Sequence, residues 1–103
     1  MKDNKKIQEM QILEQSLQNI LLQKQAFQME LSETTTALTE IKNSDDDVYK
    51  ILGQLMVKTK KDSVVKELSD KEKIIELRLK NLEKQESSLN NQLEKLREEI
   101  LGN

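Results

Sequence analysis

A three-four spacing of apolar residues, sustained twice along the chain, limits the possible folds more than any other feature of the sequence. The first run reads Met10, Leu13, Leu17, Ile20, Lys24, Phe27, Leu31, Thr34, Leu38 and Ile41. The second reads Val65, Leu68, Glu72, Ile75, Leu79, Leu82, Glu86, Leu89, Leu93, Leu96 and Ile100. Seventeen of these 21 positions are apolar, where a chain-wide hydrophobic share of 35% would place only about seven. A 3.5-residue repeat held for more than four heptads is the seam of a coiled coil. Two ordinary amphipathic helices in a compact bundle would carry wider apolar stripes. Each predicted helix is about 40 residues, or about 60 Å, long.

Composition agrees with long helices. The 103 residues suffice for one domain at most. Only 2% of them are aromatic, too few for a sizeable private core. Disorder is the other reading of so polar a chain, but 17 basic residues nearly balance 19 acidic ones, leaving −2. Two glycines and no proline favour helix continuity.

The missing residue types exclude most chemistry. Without cysteine or histidine, the usual ligands of zinc, haem and iron–sulfur centres are lacking, as is an imidazole base for a serine triad. Neither GxxxxGK[ST] nor GxGxxG occurs, so no standard loop cradles a nucleotide phosphate. The charge balance leaves no basic footprint for nucleic acid. No apolar run approaches a membrane span, and Met1–Lys6 is not followed by a signal-peptide core. The expectation is a cytoplasmic protein without cofactors that is not an enzyme.

Between the two runs the pattern changes. Asn43-Ser44-Asp45-Asp46-Asp47 is a turn-forming cluster that should stop the first helix. The stretch Val48 to Thr59 that follows is the one rich in β-formers, with Gly53 at its centre. Glycine followed by a polar residue suits a two-residue type II′ hairpin turn. That turn pairs Leu52 with Leu55, Ile51 with Met56 and Lys50 with Val57. The rival is a longer helix with Gly53 in its interior, at a cost of about 1 kcal/mol. Thr59 and Asp62 form a candidate capping box for the second helix. The predicted organisation is a single domain over 1–103: helix one over 1–43, a β-hairpin linker over 44–61, and helix two over 62–103.

Polar residues on the seam set its register. If the helices fold back antiparallel about Gly53, facing residues have numbers adding to about 106. Thr34 then faces Glu72, and Lys24 lies one layer from Glu86. Slipping by a heptad would strand each polar group in an apolar layer, which is costly. A ligand-binding role for Lys24 and Glu86 is the alternative, but register-setting is the commoner use of such residues.

Two surfaces stand out as candidates for function. The hairpin would be apolar on both faces, with Val48, Leu52, Leu55 and Val57 on one and Tyr49, Ile51 and Met56 on the other. A lone two-stranded hairpin is marginal in water, so it should complete a sheet with other copies or a related subunit. A hairpin folding back on the root of its own helices is the alternative. Val48, Tyr49, Ile51, Leu52, Leu55 and Val57 are the candidate oligomerisation residues. At the far ends of the helices, where both termini should meet, Ile7, Met10, Leu13, Leu96 and Ile100 are candidates for a soft apolar contact surface.

Val48-Tyr49-Lys50, Gly53 and Lys58, set between two long heptad helices, resemble the hairpin signature of archaeal prefoldin beta subunits. Leu21-Leu22-Gln23-Lys24-Gln25 and Leu82-Glu83-Lys84-Gln85-Glu86 are similar to stretches of the same family, while Gln54 stands where the family would have asparagine. The resemblance covers nearly the whole chain. It implies a hexamer of two alpha-type and four beta-type subunits, in which hairpins assemble into a double β-barrel body and six coiled coils hang from it. It further implies an ATP-independent chaperone whose coiled-coil tips, here Ile7, Met10, Leu13, Leu96 and Ile100, hold unfolded proteins. Delivery would be to a group II chaperonin. The competing function is a structural coiled-coil tether that binds one folded partner through its charged faces.

Overall fold

The computed structural model describes residues 2–102; Met1 and Asn103, assigned above to helix one and helix two, lie outside the described residues. In chain order the elements are α1 (Lys2–Asn43), β1 (Val48–Leu52), β2 (Leu55–Thr59) and α2 (Lys61–Leu101). The fold is therefore mainly α, two long helices joined by a small antiparallel hairpin. Each of the 21 seam positions named above is buried or half-buried. Within the helices few others leave the fully exposed class, so the apolar stripe is narrow, as a coiled coil requires.

The chain divides into two compact units. The first comprises Met1–Phe27 and Arg78–Asn103. Its core is Ile20, Leu82 and Leu93. Antiparallel pairing is evident from Lys6 with Glu99 at 3.6 Å, Lys24 with Glu86 at 3.1 Å, and the Arg78 guanidinium 5.6 Å from the centroid of the Phe27 ring. Helix α2 closes at Gly102, whose N–H donates to the Glu98 carbonyl at 2.7 Å. A Cβ at Gly102 would meet that carbonyl oxygen at 2.6 Å, so the closing turn is open to glycine alone without a shift.

The second unit is Gln28–Leu77, with Leu38, Ile75 and the polar Thr34 buried. Facing residues keep the expected register here too: Lys71 meets Glu30 at 3.5 Å, and Thr35 Oγ1 donates to Glu72 Oε2 at 2.7 Å. The partner of Glu72 is thus Thr35 rather than Thr34. The Thr34 hydroxyl turns back to its own helix and donates to the Glu30 carbonyl at 2.8 Å. Among the described residues no buried side-chain polar atom lacks a hydrogen-bond partner.

The ends of the helices at the linker are closed by different means. The Ser44 N–H bonds the Ile41 carbonyl at 3.3 Å, and Ser44 Oγ accepts from the Asp46 N–H at 3.1 Å. These bonds give the chain a local alternative to helix, which is why α1 stops here. Lys61 Nζ donates to the carbonyls of Lys42 at 3.2 Å and Ser44 at 2.7 Å, serving acceptors that the helix end leaves open. At the start of α2 the capping expectation needs correction. Thr59 is the last residue of β2, held opposite Val48 by the ladder, and so does not serve as the cap. The first α2 bond runs from the Val64 N–H to the Lys60 carbonyl at 3.2 Å, and Asp62 places a negative charge in the first turn.

Candidate functional site

The hairpin is built around one backbone conformation. Gly53 has φ of 63°, and no non-glycine residue among those described has positive φ. One positive φ at the first corner followed by a negative one at Gln54 is the type II′ pattern, whose twist matches paired strands. The ladder follows from it: Leu52 opposite Leu55, Ile51 opposite Met56, Lys50 opposite Val57, Tyr49 opposite Lys58 and Val48 opposite Thr59. The unbroken-helix alternative is excluded by this pairing.

Because side chains alternate between faces, this register puts Val48, Leu52, Leu55 and Val57 on one side and Tyr49, Ile51 and Met56 on the other. Both sides meet solvent. Ile51, Leu55 and Met56 are 70%, 68% and 67% exposed, and Tyr49, Leu52 and Val57 are also exposed; Val48 is half-buried. Scattered exposed leucines are ordinary, but here every apolar residue of the sheet except Val48 is uncovered. Met56 belongs with the oligomerisation candidates as the direct partner of Ile51, a position its place in the ladder already marks.

Charged side chains fix the hairpin to α2. Lys50 Nζ lies 2.9 and 3.1 Å from the two carboxylate oxygens of Glu67. Beside this pair, Tyr49, Lys50, Val64, Glu67, Leu68 and Lys71 line a groove of about 290 Å³. At the hairpin base Lys58 meets Asp47 at 3.5 Å. Sequence reasoning missed these contacts, since Lys50 and Glu67 are 17 positions apart and neither sits on a seam.

In the other unit, the five helix-end candidates divide. Ile7 is exposed, whereas Met10, Leu13, Leu96 and Ile100 are half-buried along the seam. Ile12 and Leu101, off the seam, are more exposed than Ile7. Among the described residues no group of three or more His, Cys, Asp or Glu side chains is placed to hold a metal ion, and no helix is long and apolar enough to cross a membrane.

An antiparallel helix pair with a narrow heptad seam, joined by a type II′ hairpin whose apolar residues are uncovered, defines a hairpin-linked coiled-coil subunit. The family model for prefoldin subunits matches residues 4–101. The chain is 47% identical over 89 residues to the prefoldin subunit beta of Thermococcus kodakarensis, an alignment covering 84% of this chain and 76% of that one. It is 44% identical over 86 residues to the prefoldin subunit beta of Pyrobaculum islandicum, covering 82% and 69% respectively. The crystal structure of the prefoldin beta subunit from Thermococcus strain KS-1 superposes with a TM-score of 0.93 at 40% identity, over 98% of this chain and 90% of that one. The chain belongs to the prefoldin family, and within it is similar to archaeal beta subunits.

Proposed function

We propose that this chain is the beta-type subunit of an ATP-independent molecular chaperone that holds unfolded polypeptides and delivers them to a group II chaperonin. The observation that carries the reading is the uncovered hairpin, with Ile51, Leu55 and Met56 about two-thirds exposed on a two-stranded sheet. Such a sheet is marginal alone and gains stability when neighbouring hairpins extend it. Membership of the prefoldin family supports the form of the assembly: a hexamer with two alpha-type and four beta-type subunits, its hairpins closing a β-barrel body. Val48, Tyr49, Ile51, Leu52, Leu55 and Val57 are the proposed assembly residues.

Client contact falls to the helix ends, through Ile7, Met10, Leu13, Leu96 and Ile100. Fraying there would release the half-buried four from the seam and let methionine adapt to varied apolar segments. Each contact is weak, and several subunits gripping one chain supply avidity while leaving each grip easily broken for hand-over. The proposed compartment is the cytoplasm.

The test pairs assembly with function. Native mass measurement of the chain mixed with an alpha-type prefoldin subunit should give the hexamer, and the hexamer should suppress aggregation of a denatured protein at near-stoichiometric ratio without ATP. Removing residues 1–13 and 93–103 should abolish suppression and leave the hexamer intact. A hexamer that suppresses nothing across several denatured proteins, and instead retains one folded partner, would identify a tether.

A further inference from the structure

The hairpin joins α2 through a single residue, Lys60, between the end of β2 at Thr59 and the start of α2 at Lys61. One residue makes a short pivot, and the angle between sheet and helix has to be held by something beyond it. Among the described residues one ion pair crosses from the hairpin to a helix, Lys50 with Glu67. Lys58 pairs instead with Asp47, just ahead of β1. The ladder holds Lys50 opposite Val57, three residues before the pivot, or about 10 Å along β2. Glu67 lies seven residues after it, or about 10 Å along α2. The pair therefore closes a triangle whose corner is Lys60, and its contacts of 2.9 and 3.1 Å engage both carboxylate oxygens. Packing does not set this angle, since the groove that Tyr49 lines together with Val64 and Leu68 stays open, at about 290 Å³.

We propose that Glu67, a residue outside the hairpin, is an assembly-positioning residue: through Lys50 it holds the hairpin at the angle to α2 from which neighbouring hairpins extend the sheet. The proposal rests on the reading above that hairpins join the subunits. The Lys50 and Glu67 side chains are 45% and 58% exposed, so their pair adds little to the stability of the single chain. Its effect falls on association. Strands pair only when N–H and C=O groups meet within hydrogen-bond distance, so a sheet that swings about Lys60 has to be ordered each time it joins another. Bracing it beforehand removes that cost, once for every hairpin in the assembly. Fixing the angle also fixes the direction in which the helices leave the sheet, and a repeated interface closes on itself only when that direction is constant.

The test measures the concentration for half-assembly with the alpha-type partner, by sedimentation velocity across a dilution series. It compares the wild type with Glu67→Gln, Lys50→Gln and the exchanged pair, Lys50→Glu combined with Glu67→Lys. Glu30→Gln is the control, because it breaks an ion pair of similar exposure, Lys71 with Glu30 at 3.5 Å, that joins α1 to α2 without involving the hairpin. Each single variant at Lys50 or Glu67 should raise the half-assembly concentration at least about threefold, with helical circular dichroism unchanged. The exchanged pair should restore most of that loss, and Glu30→Gln should shift nothing. Equal assembly by Glu67→Gln and the wild type would overturn this inference and leave the proposed function standing. So would failure of the exchanged pair to restore assembly, which makes each charge a contact with a neighbour, or an equal loss from Glu30→Gln, which makes the effect one of general stability. A wild-type chain that stays single beside its partner sinks both.

Discussion

Lys24 Nζ and Glu86 Oε2 meet at 3.1 Å across the helix seam, with three-quarters or more of each side chain withdrawn from solvent. Both occupy positions where the heptad pattern otherwise asks for an apolar residue. An ion pair in this setting gives little net stability, because desolvation offsets attraction, but it penalises every register that separates the partners. Lys24→Met or Glu86→Leu alone leaves the other charge stranded, and should lower the unfolding free energy by about 1–3 kcal/mol. The double variant should recover most of that loss. Urea titrations of the four proteins, assembled with partner at fixed concentration, provide the measurement; neutral single variants would remove the pair from the account of register.

The neighbouring threonines should respond in opposite ways. Thr34 is 4% exposed and its hydroxyl is satisfied within its own helix by the Glu30 carbonyl. Thr34→Val keeps the shape, removes a buried hydroxyl and should be neutral or stabilising by less than about 1 kcal/mol. Thr35→Val removes the 2.7 Å bond to Glu72 and leaves a half-buried carboxylate without that donor. It should cost about 0.5–1.5 kcal/mol. Thermal unfolding of the two variants side by side decides the matter, and a larger loss from Thr34→Val would reverse the assignment.

The contrast between those threonines also marks where sequence reading stops. Heptad spacing is local, so the seam could be read residue by residue, and the register followed from requiring Lys24 and Glu86 to meet. Gly53 was legible for a similar reason, since a two-residue turn fixes its whole ladder. The identity of the threonine facing Glu72 depends on a rotation of one residue about the helix axis, which periodicity does not resolve. Lys61 and its two carbonyl acceptors left no trace, because backbone acceptors carry no sequence signature. Met10, Leu13, Leu96 and Ile100 show a further limit. The pattern that singles them out is the pattern that pairs them, so they lie half-buried rather than displayed.

Lys61 offers a direct test of how α1 is closed. Its ammonium group donates to two carbonyls beyond the reach of helical bonding, those of Lys42 and Ser44. Lys61→Met preserves the aliphatic stem and removes both donors, which should cost about 1–2 kcal/mol. Because the loss is local, amide hydrogen exchange should quicken over the last turn of α1 and Asn43–Asp47 and stay unchanged in the Arg78–Ile100 stretch. Uniform acceleration along the chain would contradict a local clamp.

At Gly53 space is not the issue, since nothing lies within 4 Å of where a Cβ would sit; the cost is in the backbone. With φ of 63°, Gly53→Ala should destabilise the turn by about 1–2 kcal/mol. Since the hairpin is the proposed assembly element, the deficit should appear as a higher concentration needed for half-assembly, roughly five- to thirtyfold by that energy. Sedimentation velocity across a dilution series measures it. An unshifted midpoint would mean that the turn conformation does not limit assembly.

Ile51 and Leu55 sit on opposite faces of the same two-stranded sheet, and separating their roles tests whether both faces are covered in the assembly. Burying a side chain of this size contributes about 1.5–3 kcal/mol, so a residue covered by a neighbour should weaken assembly about ten- to a hundredfold when made polar. Ile51→Asp and Leu55→Asp are each expected to shift native mass toward single chains while helical circular dichroism persists, because neither residue touches the heptad seam. If Ile51→Asp alone disrupts the oligomer, the face that carries Tyr49, Ile51 and Met56 is the covered one and the Leu55 face stays open, as the inner and outer faces of a closed barrel would. If neither does, the hairpin is not what joins the subunits, and the proposed body has to be sought along the helices.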